Sequence, residues 1–412
     1  MTTHAVTQDT PFARNYARNV PILSRGKGVW LQDVAGTRYL DFGSGIAVNA
    51  LGYGDRRLAR VVARQMKRLV HVSNLYATEP SIALANRLLQ AADGVGREPF
   101  TAVHFGNSGA EANESAIKYA RLYAYQRRGE GHHRIISLSD GFHGRTMGAL
   151  SATPNEGYRR KFEPLLPGFE TVPFDDPQAV QDGMDDTVAG IIVEVVQGEG
   201  GLRVLSPQMV AALHDVAERH DILLIADEIQ TGLGRTGALF GSTAAGLRPD
   251  VICLSKPLAG GLPMSATLIP DRVNRELNPG DHGTTFGGGP ATSAAALYVL
   301  DRITADGFLD AVRDRAEQLE AHLKTLQERF DFVTELRGRG LLRGVRIDLG
   351  ADQDTLFPEI LPTAREQGLL LLRSGKDVVR LAPPLVISRH EMDEGAKRLA
   401  QTLQSIHMRR SS

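Results

Sequence analysis

Three apolar runs in this sequence end in residues that can do chemistry. VICLSKPLAGG carries Lys256 just after one run, and ILLIADEIQTG carries Asp227 at the end of a second. AVHFGNSGAEANESAIK passes from the third through Ser108, Gly109 and Ala110 into a helical pattern. A lysine at the carboxyl end of a buried strand is unfavourable unless it is used or paired. Burial and nearby positive charge lower an amine's pKa, which is the condition a Schiff-base lysine needs. The chain has eight lysines, and the other seven fall in turns or on helical faces that water can cover, so Lys256 is the choice.

Asp227 should face a ligand crevice, where it suits a protonated heteroaromatic nitrogen; the plainer alternative is a strand-end turn acid. The amides of Gly109 and Ala110, with the Ser108 hydroxyl, would form an anion site at a helix N-terminus, suited to a phosphate. Taken alone, that pattern is first of all a capped helix, with Ser108 as cap and Glu111 as its box partner. HGTTFGGGP offers the hydroxyls of Thr284 and Thr285 beside flexible glycines, a further phosphate contact. Arg380 in VVRLAPPL and Arg145 in GFHGRT are forked donors for substrate carboxylates, or else structural ion-pair partners.

The elements that must hold these residues follow from periodicity. Residues 28–42 read as short strands split by an Ala-Gly turn, and helical patterns follow at 56–69 and 80–92. Strands are expected at 101–105, 134–138, 190–195, 222–226, 251–254 and 265–269, with amphipathic runs at 110–128 and 208–218 between them. Apolar strands alternating with helices predict an α/β fold with a mostly parallel sheet, whose ligands bind beyond the strands' carboxyl ends. One long helical stretch is expected from 292 to 330, then short strands and a final helix over 389–406. The expected division is a large unit at 55–310 and a smaller α+β unit built from both chain ends, 1–54 and 311–412.

Composition narrows the function classes. Of 412 residues, 42% are hydrophobic and 23% charged, and the formal net charge is −1 with no basic block, so no nucleic-acid footprint is expected. One cysteine, Cys253, allows neither an internal disulfide nor a multi-cysteine metal site, and no metal is expected. No apolar stretch nears the roughly 20 residues that span a bilayer. The first residues lack a secretory pattern, and Asp9 argues against a transit peptide, so a cytoplasmic setting is expected.

The stretches IAVNALG, HVSNLY, NSGAEANESAIK, FHGRTMGAL, QGEGG, DEIQTGLGRTG, HGTTFGG and VRLAPPL occur in one order over nearly the whole chain. That series resembles the class III aminotransferases, most closely their N-acetylornithine type. The resemblance implies the aspartate aminotransferase fold (PLP fold type I) and pyridoxal 5'-phosphate as cofactor. By it, Lys256 would hold the cofactor and shuttle a proton, and Asp227 would keep the pyridine nitrogen protonated. Gln230 would bond the phenolic oxygen, and Phe142 would stack on the ring with His143 beside it. Ser108, Gly109 and Ala110 would cradle the phosphate, which Thr285 would reach from the partner subunit of a homodimer. Arg145 would take the carboxylate of an acylated donor and Arg380 the α-carboxylate of 2-oxoglutarate, with Thr284 also on the substrate side. Glu199 would pair with Arg380 while the ω-amine donor is bound.

The implied reaction transfers an ω-amine, from N2-acetyl-L-ornithine, to 2-oxoglutarate, giving a semialdehyde and L-glutamate in arginine biosynthesis. Succinyldiaminopimelate, succinylornithine, ornithine, lysine and 4-aminobutyrate are alternative donors. Two positions depart from the family pattern: Pro257 after the lysine, and Gly289 where asparagine is common. A different class, a nicotinamide-dependent dehydrogenase, would rest on GLGRTG (232–237), a Gly-x-Gly-x-x-Gly match separated from its strand by DEIQT.

Overall fold

The computed structural model describes residues 12–16 and 21–410. The first 19 residues, from which no secretory signal is expected, lie mostly outside the described residues.

The central sheet has seven strands: β4 (Phe100–Gly106), β5 (Arg134–Leu138), β6 (Phe169–Val172), β7 (Val188–Val193), β8 (Leu223–Asp227), β9 (Val251–Leu254) and β10 (Ser265–Pro270), in the order β4-β10-β9-β8-β7-β5-β6. β10 runs antiparallel to both β9 and β4, while β6, β5, β7, β8 and β9 pair in parallel. Every residue of β7, β8 and β9 is buried, which is why these segments read as unbroken apolar runs. The 20-residue helix Gly109–Arg128 covers one face with Ala116, Ile117, Ala120 and Tyr123. Helix Pro207–Arg219 covers the other with Met209, Leu213 and Val216; Ser206 caps it and proline occupies its first turn.

Parallel pairing has one consequence for function. β4, β5, β7, β8 and β9 all point the same way, so the loops after them gather at a single edge. Every residue singled out at a strand end belongs to that edge.

Two four-stranded sheets flank this body. One comprises β1 (Leu23–Lys27), β2 (Trp30–Asp33), β3 (Arg38–Asp41) and β13 (Leu369–Leu370), with β13 parallel to β3, so the first and last parts of the chain share a sheet. The other comprises β11 (Val333–Arg339), β12 (Leu342–Ile347), β15 (Val378–Leu381) and β14 (Leu372–Ser374). The single helix expected over 292–330 is two, Pro290–Ile303 and Phe308–Arg329. Gly307, at φ 76°, makes the break in a left-handed conformation that helices avoid. The last helix runs further than expected, over Arg389–Arg410.

The GLGRTG stretch does no phosphate work of the dinucleotide kind. β8 ends at Asp227 and the next helix begins only at Gly241, so no helix opens from this turn. Its arginine, Arg235, is 1% exposed and donates to the carbonyls of Leu341 and Pro383, pinning the loop after β8 to the C-terminal unit. No helix among the described residues is long and apolar enough to cross a membrane.

Candidate active site

Asp227 and Lys256 leave the carboxyl ends of adjacent parallel strands, β8 and β9. Asp227 is 4% exposed, and a bare carboxylate there would be costly. Three donors satisfy it: Asn113 Nδ2 and His143 Nδ1, each 2.8 Å from Oδ2, and the Ile229 amide, 3.1 Å from Oδ1. Asn113 also donates to the His143 carbonyl at 2.7 Å, so one side chain fixes both the acid and the loop that brings the imidazole. Burial works against protonating His143, but the hydrogen bond and charge of Asp227, with Glu194 adding, raise its pKa above the ordinary histidine value.

Lys256 keeps some exposed surface, yet the protein around it is dense enough for desolvation to act on the amine. Burial pulls its pKa below the usual lysine value; Asp227 opposes the shift and Arg380 reinforces it. The site thus holds an amine biased toward its neutral, nucleophilic form beside a fixed carboxylate.

At the start of helix Gly109–Arg128, Ser108 caps by accepting from the Glu111 amide at 3.3 Å. Glu111 does not close a box onto Ser108; its carboxylate takes the amide and side chain of Asn107 at 2.6 and 2.8 Å. The amides of Ser108, Gly109 and Ala110 therefore keep no acceptor among the described residues, and they stand at the positive end of a 20-residue helix. The expected cap at Ser108 is present, the expected box with Glu111 is not, and the helix start keeps donors that an anion could use. Glycine is required at 109, because a Cβ would lie 2.8 Å from the Ile229 side chain, which follows Asp227. Gly144, at φ 139°, lets the loop carrying Phe142 and His143 pass against Ala110, where a Cβ would lie 2.7 Å away.

On the far side, Arg380 is 3% exposed, and one of its nitrogens, Nη1, meets Glu199 Oε1 at 2.7 Å, the Gly198 carbonyl at 2.7 Å and Gln230 Oε1 at 3.3 Å. Its Nε is buried without an acceptor, an edge open to a second ligand. Gln230 spends its oxygen on this cation, which leaves its amide hydrogens for another acceptor. Glu199 remains 29% exposed, so it can leave the arginine for water. Arg145 differs: it is exposed and makes no ion pair among the described residues. Phe142, Glu199 and Gly201 line a cleft of about 1320 Å³ whose lining does not include Lys256, Asp227, Arg145 or Arg380. Thr284 uses its hydroxyl inside the chain, accepting from Asn107 Nδ2 at 3.2 Å and the Gly287 amide at 3.3 Å. Thr285, next to it, is exposed.

Three residues at this edge escaped the sequence reading: Asn113, Tyr158 and Glu194. Glu194 is 6% exposed just past β7, and accepts from the amides of Phe142 and Gly198, both at 2.9 Å. It thereby ties the loop of the aromatic ring to the loop of Glu199; burial, then the charge of Asp227, pushes its pKa well above the carboxylate range.

These residues fit a flat, phosphorylated heteroaromatic aldehyde. The unspent amides suit its phosphate, Asp227 a ring nitrogen, Gln230 an oxygen substituent and Lys256 the carbonyl carbon. Comparisons with known proteins agree. Residues 12–403 match the model of the family described as "Aminotransferase class-III". An acetylornithine aminotransferase of Caldanaerobacter subterraneus is 42% identical over 95% of this chain and 96% of its own. The crystal structure of N-acetylornithine aminotransferase from Stenotrophomonas maltophilia superposes with a TM-score of 0.80 at 33% identity, covering 93% of this chain and 95% of that one. An amine transaminase from an uncultivated Pseudomonas species, in its PLP-bound form, reaches a TM-score of 0.89 at 29% identity, covering 98% and 99%.

Proposed function

The chain belongs to the class III aminotransferases, and from that membership we propose that it transfers the terminal amine of N2-acetyl-L-ornithine to 2-oxoglutarate, giving the semialdehyde and L-glutamate. It is a transaminase, and its cofactor is pyridoxal phosphate, which supplies an electron sink for the carbon that loses its proton. Lys256 would hold the cofactor, with Asp227 at the ring nitrogen and Gln230 at the phenolic oxygen. Phe142 would lie on the ring, and Ser108, Gly109 and Ala110 would take the phosphate. Freed from the cofactor, the Lys256 amine would carry the proton at the substrate carbon, for which its depressed pKa fits it.

One observation carries the choice of substrates: the two arginines of the site are dressed differently. Arg380 is buried and neutralised by Glu199, whereas Arg145 stands open. With the pair closed, an amine-bearing end without a carboxylate can approach Lys256 while Arg145 takes the donor's distant carboxylate. With Glu199 turned away, Arg380 offers a forked partner to the α-carboxylate of 2-oxoglutarate. Arg145→Ala should therefore raise KM for the acetylated donor by roughly 10- to 100-fold, the loss of one charge-assisted contact, and leave KM for 2-oxoglutarate within about twofold. Steady-state kinetics with each substrate varied in turn checks this, and equal changes in both constants would refute the division of labour.

The dimer belongs to the same proposal. Leu75, Tyr76, Val70 and Phe286 are 88, 72, 54 and 66% exposed, a concentration of apolar surface that water alone rarely faces. Asn74 donates to the carbonyls of Thr284 and Gly287, and the rings of His71 and Phe286 lie 5.4 Å apart, so the two loops form one surface. A second copy covering it would bury Thr285's loop at the subunit boundary, in keeping with a phosphate contact from the partner. The division at 55–310 is supported by the seven-stranded sheet falling wholly within it and both smaller sheets outside it.

A further inference from the structure

Arg145 must meet a carboxylate from an exposed position, and a free arginine side chain samples many rotamers there. Among the described residues it has no carboxylate to hold it. What it has is aromatic: its guanidinium carbon lies 3.6 Å from the centroid of Tyr158 and 5.6 Å from that of Phe142. The two rings meet edge to face, with centroids 6.1 Å apart and planes at 86°. Tyr158 sits on the short helix Glu156–Arg159, its amide bonded to the Asn155 carbonyl at 3.0 Å, and its side chain lines the same cleft as Phe142 and Glu199. Both of its ring contacts, the Arg145 guanidinium over its face and Phe142 against it, are made by the aromatic ring and not by the hydroxyl.

We propose that Tyr158 is a positioning residue for the donor: its ring face holds the Arg145 guanidinium in place and so sets affinity for donors whose carboxylate lies far from the reacting amine. This rests on the assignment of Arg145 to the donor. A planar cation stacked on a ring keeps its outward N–H edge free, which is the edge a carboxylate needs. Through the contact of Tyr158 with Phe142, the cation is also fixed relative to the ring that lies against the cofactor. Tyr158 touches no reacting atom in this account, so it acts on KM rather than kcat.

The test uses the full-length holoenzyme with N2-acetyl-L-ornithine and 2-oxoglutarate. Y158A should raise KM for the donor by roughly 3- to 30-fold, the range of a cation–π contact, with kcat and KM for 2-oxoglutarate within about twofold. Y158F, which keeps the ring, should restore the wild-type KM. Y158F as impaired as Y158A would assign the effect to the hydroxyl and overturn the proposal. An unchanged donor KM in Y158A, or an equal rise for 2-oxoglutarate, would also overturn it. R145A separates the two levels. A donor KM raised by R145A but untouched by Y158A sinks only the role of Tyr158. A donor KM untouched by R145A sinks the substrate assignment, and the role of Tyr158 with it.

Discussion

Lys256→Ala is expected to lose at least about 10⁴-fold in turnover, because in its proposed roles Lys256 is both the nucleophile and the proton carrier of the site. The amine lies two residues past β9, where burial lowers its pKa. The charged groups that act on its pKa are Asp227, Glu194, Glu199 and the Arg380 guanidinium, and none of them brings a second amine to replace the nucleophile. Glutamate formation from 2-oxoglutarate measures the loss. Borohydride reduction followed by peptide mapping should place the cofactor on the Lys256 peptide of the wild type and on no peptide of the variant. Turnover within tenfold of wild type would remove Lys256 from the chemistry. Thermal unfolding of the cofactor-free variant should stay within a few degrees of the wild type, since a buried amine is a poor source of stability.

Asp227→Asn is the second large effect. The amide keeps the carboxylate's shape but not its charge, so the fall in kcat should be roughly 10²- to 10³-fold, as for removal of one preorganised electrostatic partner. The substitution has a second readout. Burial lowers the pKa of His143, and the Asp227 hydrogen bond and charge are the main influences raising it, with Glu194 adding, so in the variant that pKa should drop below the ordinary histidine value. In the wild type the charged imidazole persists as pH rises past the ordinary value; in Asp227→Asn it is lost at lower pH. Nuclear magnetic resonance titration of His143 reads this directly. A lowered His143 pKa with undiminished kcat would mean that the carboxylate serves the histidine alone.

Asp227 and Lys256 were legible from the residues themselves by one signal, a polar residue at or just past the end of an unbroken apolar run, whereas Gln230, Phe142 and Glu199 entered only through the family resemblance. Asp227 and Lys256 stand out because β8 and β9 are buried along their whole length. Glu194 carries the same signal, but an expected strand at 190–195 absorbed it, whereas β7 ends at Val193. Asn113 gave no signal of its own. One turn into a helix, an asparagine reads as part of a solvated face, and only the fold shows that this face turns toward Asp227. Tyr158 was hidden for a related reason: its helix spans four residues, too few for a periodic pattern. The pairing of β13 with β3 joins residues more than 300 positions apart, which no local periodicity encodes. The break at Gly307 was readable, since glycine marks helix ends, but the apolar spacing on both sides masked it. The departures Pro257 and Gly289 both fit their surroundings: the Leu258 amide closes a turn onto the Ser255 carbonyl, and Gly289 precedes helix Pro290–Ile303 as its cap.

In the proposed function one pocket alternates between an acylated ω-amino donor and 2-oxoglutarate. The most direct measurement is kcat/KM for a panel of donors at saturating 2-oxoglutarate: N2-acetyl-L-ornithine, ornithine, lysine, 4-aminobutyrate and N-succinyldiaminopimelate. N2-acetyl-L-ornithine should lead every other donor by at least about tenfold, the size of one well-made polar contact. A donor lacking the acylated α-amino-acid end, such as 4-aminobutyrate, turning over as well or better would contradict it.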